Sequence, residues 1–411
     1  MRPLVFKEEM LTERSRKNLA ILEAIRRLGP VSKAEISRVA GLNVVTTSNY
    51  VDHYIRSHLV SVKALDVSTG GRRPALLSLN SNANLAIGVG LNLLDMIGVI
   101  ADLDGRIVTR VVRKHPGMMM NDIMQCAVSI IDELISRVAI IEQKRIKGIG
   151  IGIGGMIDRQ NKTIRWPEKL SNGECRYSSV AFPLEEIIQQ KFGLSCLLEN
   201  DATASCFGEQ WMSSETDIKN VVYMFSGVGS GFILNGEVYR GASGAAGEVA
   251  LNNAHRNEFL SSLGGAYFIQ PWEDDLGMVR HAQKALEQFP EKGKILRELI
   301  NSGQEEINLR HIFEAANNND SLAVHIVRQA GRCLGVRAAF LINLLNPQTV
   351  IIGGGMEEAG NIFFDAVKES VCEFAFPEMA SVAKVVASRL GADAAAVGAA
   401  SLVVRKIFVQ V

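Results

Sequence analysis

No stretch of this chain is long and apolar enough to cross a bilayer as a helix. The longest apolar run, Ala86 to Ala101, is broken by Asn92 and Asp95, and it falls short of the roughly 20 residues that a spanning helix needs. Met1 to Met10 carries Arg2, Lys7, Glu8 and Glu9 and has no apolar stretch of signal-peptide length. No membrane partner is therefore expected, and the cytoplasm is the expected location. Cysteine is also scarce. Six are scattered through 411 residues with no C-x-x-C pair, which disfavours a disulfide framework and a thiolate zinc cage and points to buried thiols.

A net charge is lacking as well, since 44 Lys+Arg balance 44 Asp+Glu. The balance is uneven along the chain. Residues 1–80 hold 13 Lys+Arg against 7 Asp+Glu, a net of +6, and the remainder holds 31 against 37, a net of −6. A basic head on an acidic body points to a polyanionic partner for the head alone. The 47% hydrophobic and 21% charged shares are those of a globular protein, and a chain of this length is expected to form two or three domains.

In the head, Ala20, Ile21, Leu22, Ala24, Ile25 and Leu28 recur with helical spacing until Gly29-Pro30. Ser32-Lys33-Ala34-Glu35 reads as a capping box that opens a short second helix. Gly41-Leu42 makes a tight turn and Asn43 can cap a third helix, on which Val44, Ser48, Val51, Ile55 and Leu59 run down one face. Three helices with a short turn between the second and third describe a helix-turn-helix. Thr46, Thr47, Asn49, Tyr50 and His53 are placed on the opposite face, and with Ser48 they are the candidate major-groove contacts. Val60 to Ala64 and Ala75 to Leu79 read as two strands joined through Gly70-Gly71-Arg72-Arg73-Pro74, a wing whose Arg72 and Arg73 suit phosphate contact. A protein-interaction module of three helices is the alternative at this point.

Beyond residue 80 strands alternate with long helices. Leu85 to Gly90, Met96 to Ala101 and Ile107 to Val112 are expected strands, followed by a helix over Asp122 to Glu142 and a strand at Gly148 to Ile153. A similar group follows: strands at Val221 to Met224, Gly231 to Leu234 and Val238-Tyr239, a helix over Gly331 to Leu345 and a strand at Thr349 to Ile352. Two such halves would make a two-lobed, actin-like α/β body with a ligand between the lobes.

Nearly the whole chain resembles the ROK-family repressors, which couple a winged helix-turn-helix to a sugar-kinase-like (ribonuclease H-like) domain and include regulators of xylose and N-acetylglucosamine use. The resemblance rests on the order and spacing of several short runs. Gly41-Leu42-Asn43, the Gly70 to Pro74 wing and Gly148-Ile149-Gly150-Ile151-Gly152 come first. Glu199-Asn200-Asp201-Ala202, Gly227-Val228-Gly229-Ser230-Gly231, Tyr239-Arg240-Gly241 and Gly247-Glu248 follow, ahead of Asn346-Pro347 and Ile351-Ile352-Gly353-Gly354-Gly355. It implies a head over residues 1–80, a first lobe over 81–205 and a second lobe over 206–411, with the C-terminal helix packing back on the first lobe.

The resemblance also carries chemistry. Asp201 stands where the family's kinases keep the base that takes a proton from the sugar, and Asn200, Asp201 and Glu248 are expected to hold ligand hydroxyls. A helix-capping role for Asn200-Asp201 is the alternative. The family's first hairpin has an Asp, small residues and a Thr for metal-bound ATP phosphates. Here Gly90, Asn92, Leu93 and Leu94 stand in those places, so no phosphate or magnesium site is expected. Leu251 replaces the family's zinc-binding histidine and the cysteine cluster is missing, so no zinc or other cofactor is expected. His255 alone makes no site. Gly227 to Gly231 serves equally as an anion cradle or as a close-packed strand turn.

The expected function is a repressor that binds an inverted-repeat site in double-stranded DNA as a homodimer or homotetramer. A sugar-like effector would control it from a body that catalyses nothing. A sugar kinase phosphorylating a hexose with ATP is the competing reading.

Overall fold

The computed structural model describes residues 5–6, 11–65, 75–117, 119–158, 161, 163–169, 175–213, 215, 217–225, 229–249, 276–289, 291–303 and 306–411. The wing residues Arg72 and Arg73, Gly227 and Val228, and Leu251 and His255 lie outside them.

The chain enters through strand β1 (Val5–Phe6) and helix α1 (Glu13–Leu28). Thr12 caps α1 by accepting from the Ser15 N–H (3.1 Å). The pair β2 (Val31–Ser32) and α2 (Lys33–Ala40) follows, then α3 (Val44–Arg56), β3 (Val60–Leu65) and β4 (Ala75–Leu79). Ser32 caps α2 at Glu35 N (3.3 Å), while the Glu35 carboxylate turns to Arg38 (3.1 Å) rather than back to the cap. Asn43 caps α3 at Thr46 N (2.7 Å). The order β2-β4-β3 closes a three-stranded sheet on the three helices, giving a winged helix-turn-helix. Its core is Ile21, Leu22, Ile25, Ile36, Val51, Tyr54 and Leu77, each essentially without exposed surface.

The body repeats one topology twice. In the first half β5 (Leu85–Leu91), β6 (Asp95–Asp102) and β7 (Ile107–Lys114) form an antiparallel meander. After α4 (Met120–Ser136) and α5 (Ile140–Gln143), β8 (Ile146–Ile153) joins β5 in parallel. The sequence pattern placed one helix over Asp122 to Glu142. It stops at Ser136 instead, and the Gln143 amide satisfies the Ile135 and Val138 carbonyls (3.1 and 3.2 Å) beyond its end. A small sheet of β9 (Met156–Asp158), β10 (Thr163–Lys169) and β11 (Cys175–Ala181) then intervenes. Helix α6 (Leu184–Phe192) leads to β12 (Cys196–Asn200), which completes the sheet order β12-β8-β5-β6-β7.

Helix α7 (Asp201–Met212) passes to the second half, where β13 (Val221–Phe225), β14 (Gly229–Leu234) and β15 (Glu237–Tyr239) make the equivalent meander. The helix Ser321–Leu345 leads to β16 (Thr349–Gly353), and β17 (Lys384–Ala387) ends the sheet. The order β17-β16-β13-β14-β15 matches the first sheet strand for strand. One addition distinguishes it: β1 pairs in parallel with the edge strand β15, Val5 opposite Glu237 and Phe6 opposite Val238.

The final helix, Ala394–Gln410, crosses the first sheet at close range. A Cβ at Gly88 would stand 1.9 Å from the Ala396 carbonyl oxygen and one at Gly150 2.1 Å from that of Ala399, so this backbone-to-backbone approach requires glycine. The same helix packs on α7 and α1, so the head's apolar core runs without a break into the body through Trp211 and Phe408.

Candidate functional site

Strands β8 and β12 run parallel, and their carboxyl ends open onto a crevice of the kind in which α/β sheets hold ligands. A cavity of about 610 Å³ lies there. Asp158, Thr163, Arg165 and Ser179 line it from the small sheet, Glu199 and Asn200 from the end of β12, and Arg240, Ser243 and Glu248 from the segment after β15. Its size is within the usual range for small-molecule sites.

Each polar wall has a defined local cause. Glu199 is buried at 4% exposure, receives the Asn200 N–H (3.0 Å) and forms an ion pair with Arg240. Asn200 caps α7 by accepting from Thr203 N (3.1 Å), and its Nδ2 donates to the Gly155 carbonyl (3.3 Å). Asp201 is buried on the first turn of α7, where Oδ1 accepts from Ala202 N (2.7 Å) beside Gly154. Glu248 bridges to Gly229 at the rim of the second sheet. Although the residue is exposed, loss of water at the cavity rim moves its carboxyl above the ordinary range, against the opposing pull of Arg165.

Asn200 and Glu248 thus share one cavity, and Asp201 follows Asn200 at the start of α7, buried beside Gly154. Arg165, Glu199 and Arg240 were not singled out as site residues in the sequence. The Tyr239-Arg240-Gly241 and Glu199-Asn200 runs were visible, but nothing local to either announces that their charges pair across the crevice.

The stretch Gly90 to Asp95 forms the β5–β6 turn and is filled. Asn92 Oδ1 accepts from Leu94 N and Asp95 N (both 2.8 Å), and its Nδ2 donates to the Ala392 carbonyl (3.1 Å). Leu93 N donates to the Gly354 carbonyl (3.1 Å). A Cβ at Gly355 would meet the Leu93 and Leu94 side chains at 3.4 Å. The turns that would have to part around a triphosphate therefore touch each other. Neither Leu nor Asn offers the carboxylate that magnesium needs, and Asp95, the one carboxylate of the stretch, is buried against Arg310, so these residues do not fit a metal-nucleotide. Among the described residues no group of three or more His, Cys, Asp or Glu is placed to hold a metal ion.

On the recognition helix α3, Asn49 and His53 are exposed, and Thr46, Ser48 and Tyr50 are half-buried. Thr47 corrects the face assignment. It has no exposed surface, and its hydroxyl donates to the Asn43 carbonyl (3.0 Å) inside the head. The inward stripe is Thr47, Val51 and Tyr54, whereas Val44 and Val45 are 56% and 72% exposed. A β-branched Thr that bonds back to its own helix packs as an apolar residue. Two valines at the helix start face outward, where methyl groups suit the thymine methyl. Lys33 of α2 reaches the same helix, donating to Ser48 Oγ (2.9 Å) and pairing with Asp52 (2.6 Å).

The ROK-family model matches residues 85–406. This chain belongs to the ROK family. Among its ROK relatives, the xylose repressor of Caldicellulosiruptor bescii is 26% identical over 391 residues, covering 94% of each chain. The glucokinase of Thermotoga maritima is 27% identical over 313 residues, covering 76% of this chain and 94% of the enzyme, so the enzyme lacks a counterpart for much of the remainder. A crystal structure of a ROK-family transcriptional regulator, a homologue of the E. coli MLC protein, aligns over 96% of both chains. Its TM-score is 0.69 and its identity 21%, a likeness of fold that takes in the head as well as the body.

Proposed function

We propose that this ROK-family chain is a DNA-binding repressor controlled by a small sugar held in the cavity beside Asn200 and Glu248. The observation that carries the reading is a pairing within one chain. A winged helix-turn-helix is joined to a sugar-kinase body that keeps its ligand crevice while Leu93 and Leu94 fill the turn where ATP phosphates would sit. The full-length coverage by xylose repressors supports it. Asn200 and Glu248 anchor hydroxyls, Asp201 supports them from the start of α7, and the body catalyses no phosphoryl transfer and needs no zinc. Thr46, Ser48, Asn49, Tyr50 and His53 face the major groove and Arg72 and Arg73 reach phosphate, on a homodimer that reads an inverted repeat in the cytoplasm.

The charges of the described lining narrow the effector. Arg240 is matched by Glu199, and Arg165 stands against Glu248, with Asp158 in addition. This leaves no surplus of cations for a phosphate, so the reading favours an uncharged polyhydroxy ligand over a sugar phosphate. Calorimetric titration of the full chain with D-xylose and D-glucose in EDTA, without nucleotide, tests this. Binding is expected, and Glu248→Ala weakens it about tenfold. Saturable binding only of phosphorylated sugars, or ADP release from magnesium-ATP that depends on the sugar, would favour the kinase instead.

A further inference from the structure

A ligand in the cavity can govern the head only through elements that touch both, and α7 is such an element. It starts at the Asn200 cap on the cavity wall and ends at the head, about 18 Å away at 1.5 Å per residue. Every residue from Asp201 to Trp211 is buried. A Cβ at Gly398 would come within 1.9 Å of the Ala204 carbonyl oxygen, so α7 and the C-terminal helix interlock backbone on backbone and shift together.

At the far end of α7, Arg26 of α1 meets Trp211. The Arg26 guanidinium lies over the Trp211 ring, 4.2 Å from its centroid, and Nη2 donates to the Trp211 carbonyl (2.8 Å). Trp211 is held in turn by Phe207, stacked at 5.3 Å, and by Phe408 at 6.0 Å. From α1 the contact reaches the recognition helix: Asn18 donates to the Val411 carbonyl (2.6 Å) and receives the Tyr54 hydroxyl of α3 (2.6 Å). Arg26 Nε and Trp211 Nε1 are buried with no hydrogen-bond partner among the described residues. A joint with unmade bonds is one that a small displacement can exchange for another arrangement.

We propose that α7 carries the state of the cavity to the DNA-binding head, and that Arg26 on Trp211 is the joint through which it does so. Arg26 is a positioning residue in this scheme, touching neither ligand nor DNA. The proposal rests on the sugar-sensing reading for its biological use, and its test uses no sugar and no DNA.

Hydrogen–deuterium exchange of the full chain is read at the amides of α1 and α3 in four proteins: the parent, Asn200→Ala, Arg26→Met and the double variant. Asn200→Ala removes the α7 cap at the cavity end. It is expected to raise exchange in α1 and α3 about fivefold in the parent and less than about twofold when Arg26→Met is present, a non-additivity that lost stability alone does not produce. Arg26→Lys, which keeps a cation over the indole, restores the coupling. If Asn200→Ala does not yield folded protein, Asn200→Ser, which also loses the bond to the Gly155 carbonyl at the start of α7, takes its place with the same expectations. Equal fold-changes with and without the Arg26 side chain overturn the proposal, as does an unchanged head in the cavity variant. A chain that shows the coupling and yet binds no sugar keeps the joint and loses only the sensing reading.

Discussion

Glu357 lies half-buried against the turn that closes on Leu93 and Leu94, and one of its oxygens accepts from Gly355 N (3.0 Å). The other has no hydrogen-bond partner among the described residues. Burial, with some help from Glu358 and Glu209, holds its carboxyl above the ordinary range. The folded state therefore binds this proton more tightly than the unfolded chain does. The stabilisation is present at pH below the ordinary glutamate value and is lost as pH rises through the raised one. Glu357→Gln keeps an acceptor for Gly355 and removes the charge. Thermal unfolding should show the variant more stable than the parent at about pH 8 and the two nearly equal at about pH 4. A parent that gains stability relative to the variant on going to high pH would contradict the buried-carboxyl account.

At the scale of elements, the helices and strands of both halves were legible because their signals are local. Ser32 and Asn43 cap α2 and α3 as their side chains dictate, and the meanders follow short apolar runs buried on both faces, with Asp104-Gly105 and Asn235-Gly236 at their turns. What escaped the sequence depends on distant partners. The pairing of β1 with β15 joins residues more than half the chain apart, and the small sheet of β9, β10 and β11 is built from strands that pair only with one another. The site divides in the same way. Asn200 and Glu248 stand in recognisable runs, but Arg165 comes from that small sheet, and Glu199 meets Arg240 only because β12 and β15 end at one crevice.

The inner face of α3 was misread by one position, with a measurable consequence. Thr47→Ala deletes a buried methyl and a hydroxyl bonded to Asn43, and it should cost the head about 1–3 kcal/mol without changing which DNA sequence is preferred. Asn49→Ala should leave stability within about 0.5 kcal/mol and change the preferred sequence instead. Denaturation curves and selection from random duplexes separate the two. A preference altered by Thr47→Ala at unchanged stability would return that residue to the groove.

For the whole molecule, one apolar cluster links the head to both sheets, while each lobe keeps a further core of its own. Core residues of α1, the C-terminal helix and α7 belong to a single apolar cluster. Such an arrangement gives a ligand in the crevice purchase on the DNA-binding surface, provided the ligand prefers one arrangement of the lobes. On the proposed reading, with Leu93 and Leu94 filling the turn, this coupling runs without ATP. The most direct measurement is the affinity of the full chain for a duplex selected from random sequence, taken with and without D-xylose, in EDTA and without nucleotide. The account predicts that the sugar alone weakens DNA binding at least tenfold, about 1.4 kcal/mol of coupling. An affinity that stays constant until magnesium and ATP are supplied, with ADP formed as it changes, would contradict it.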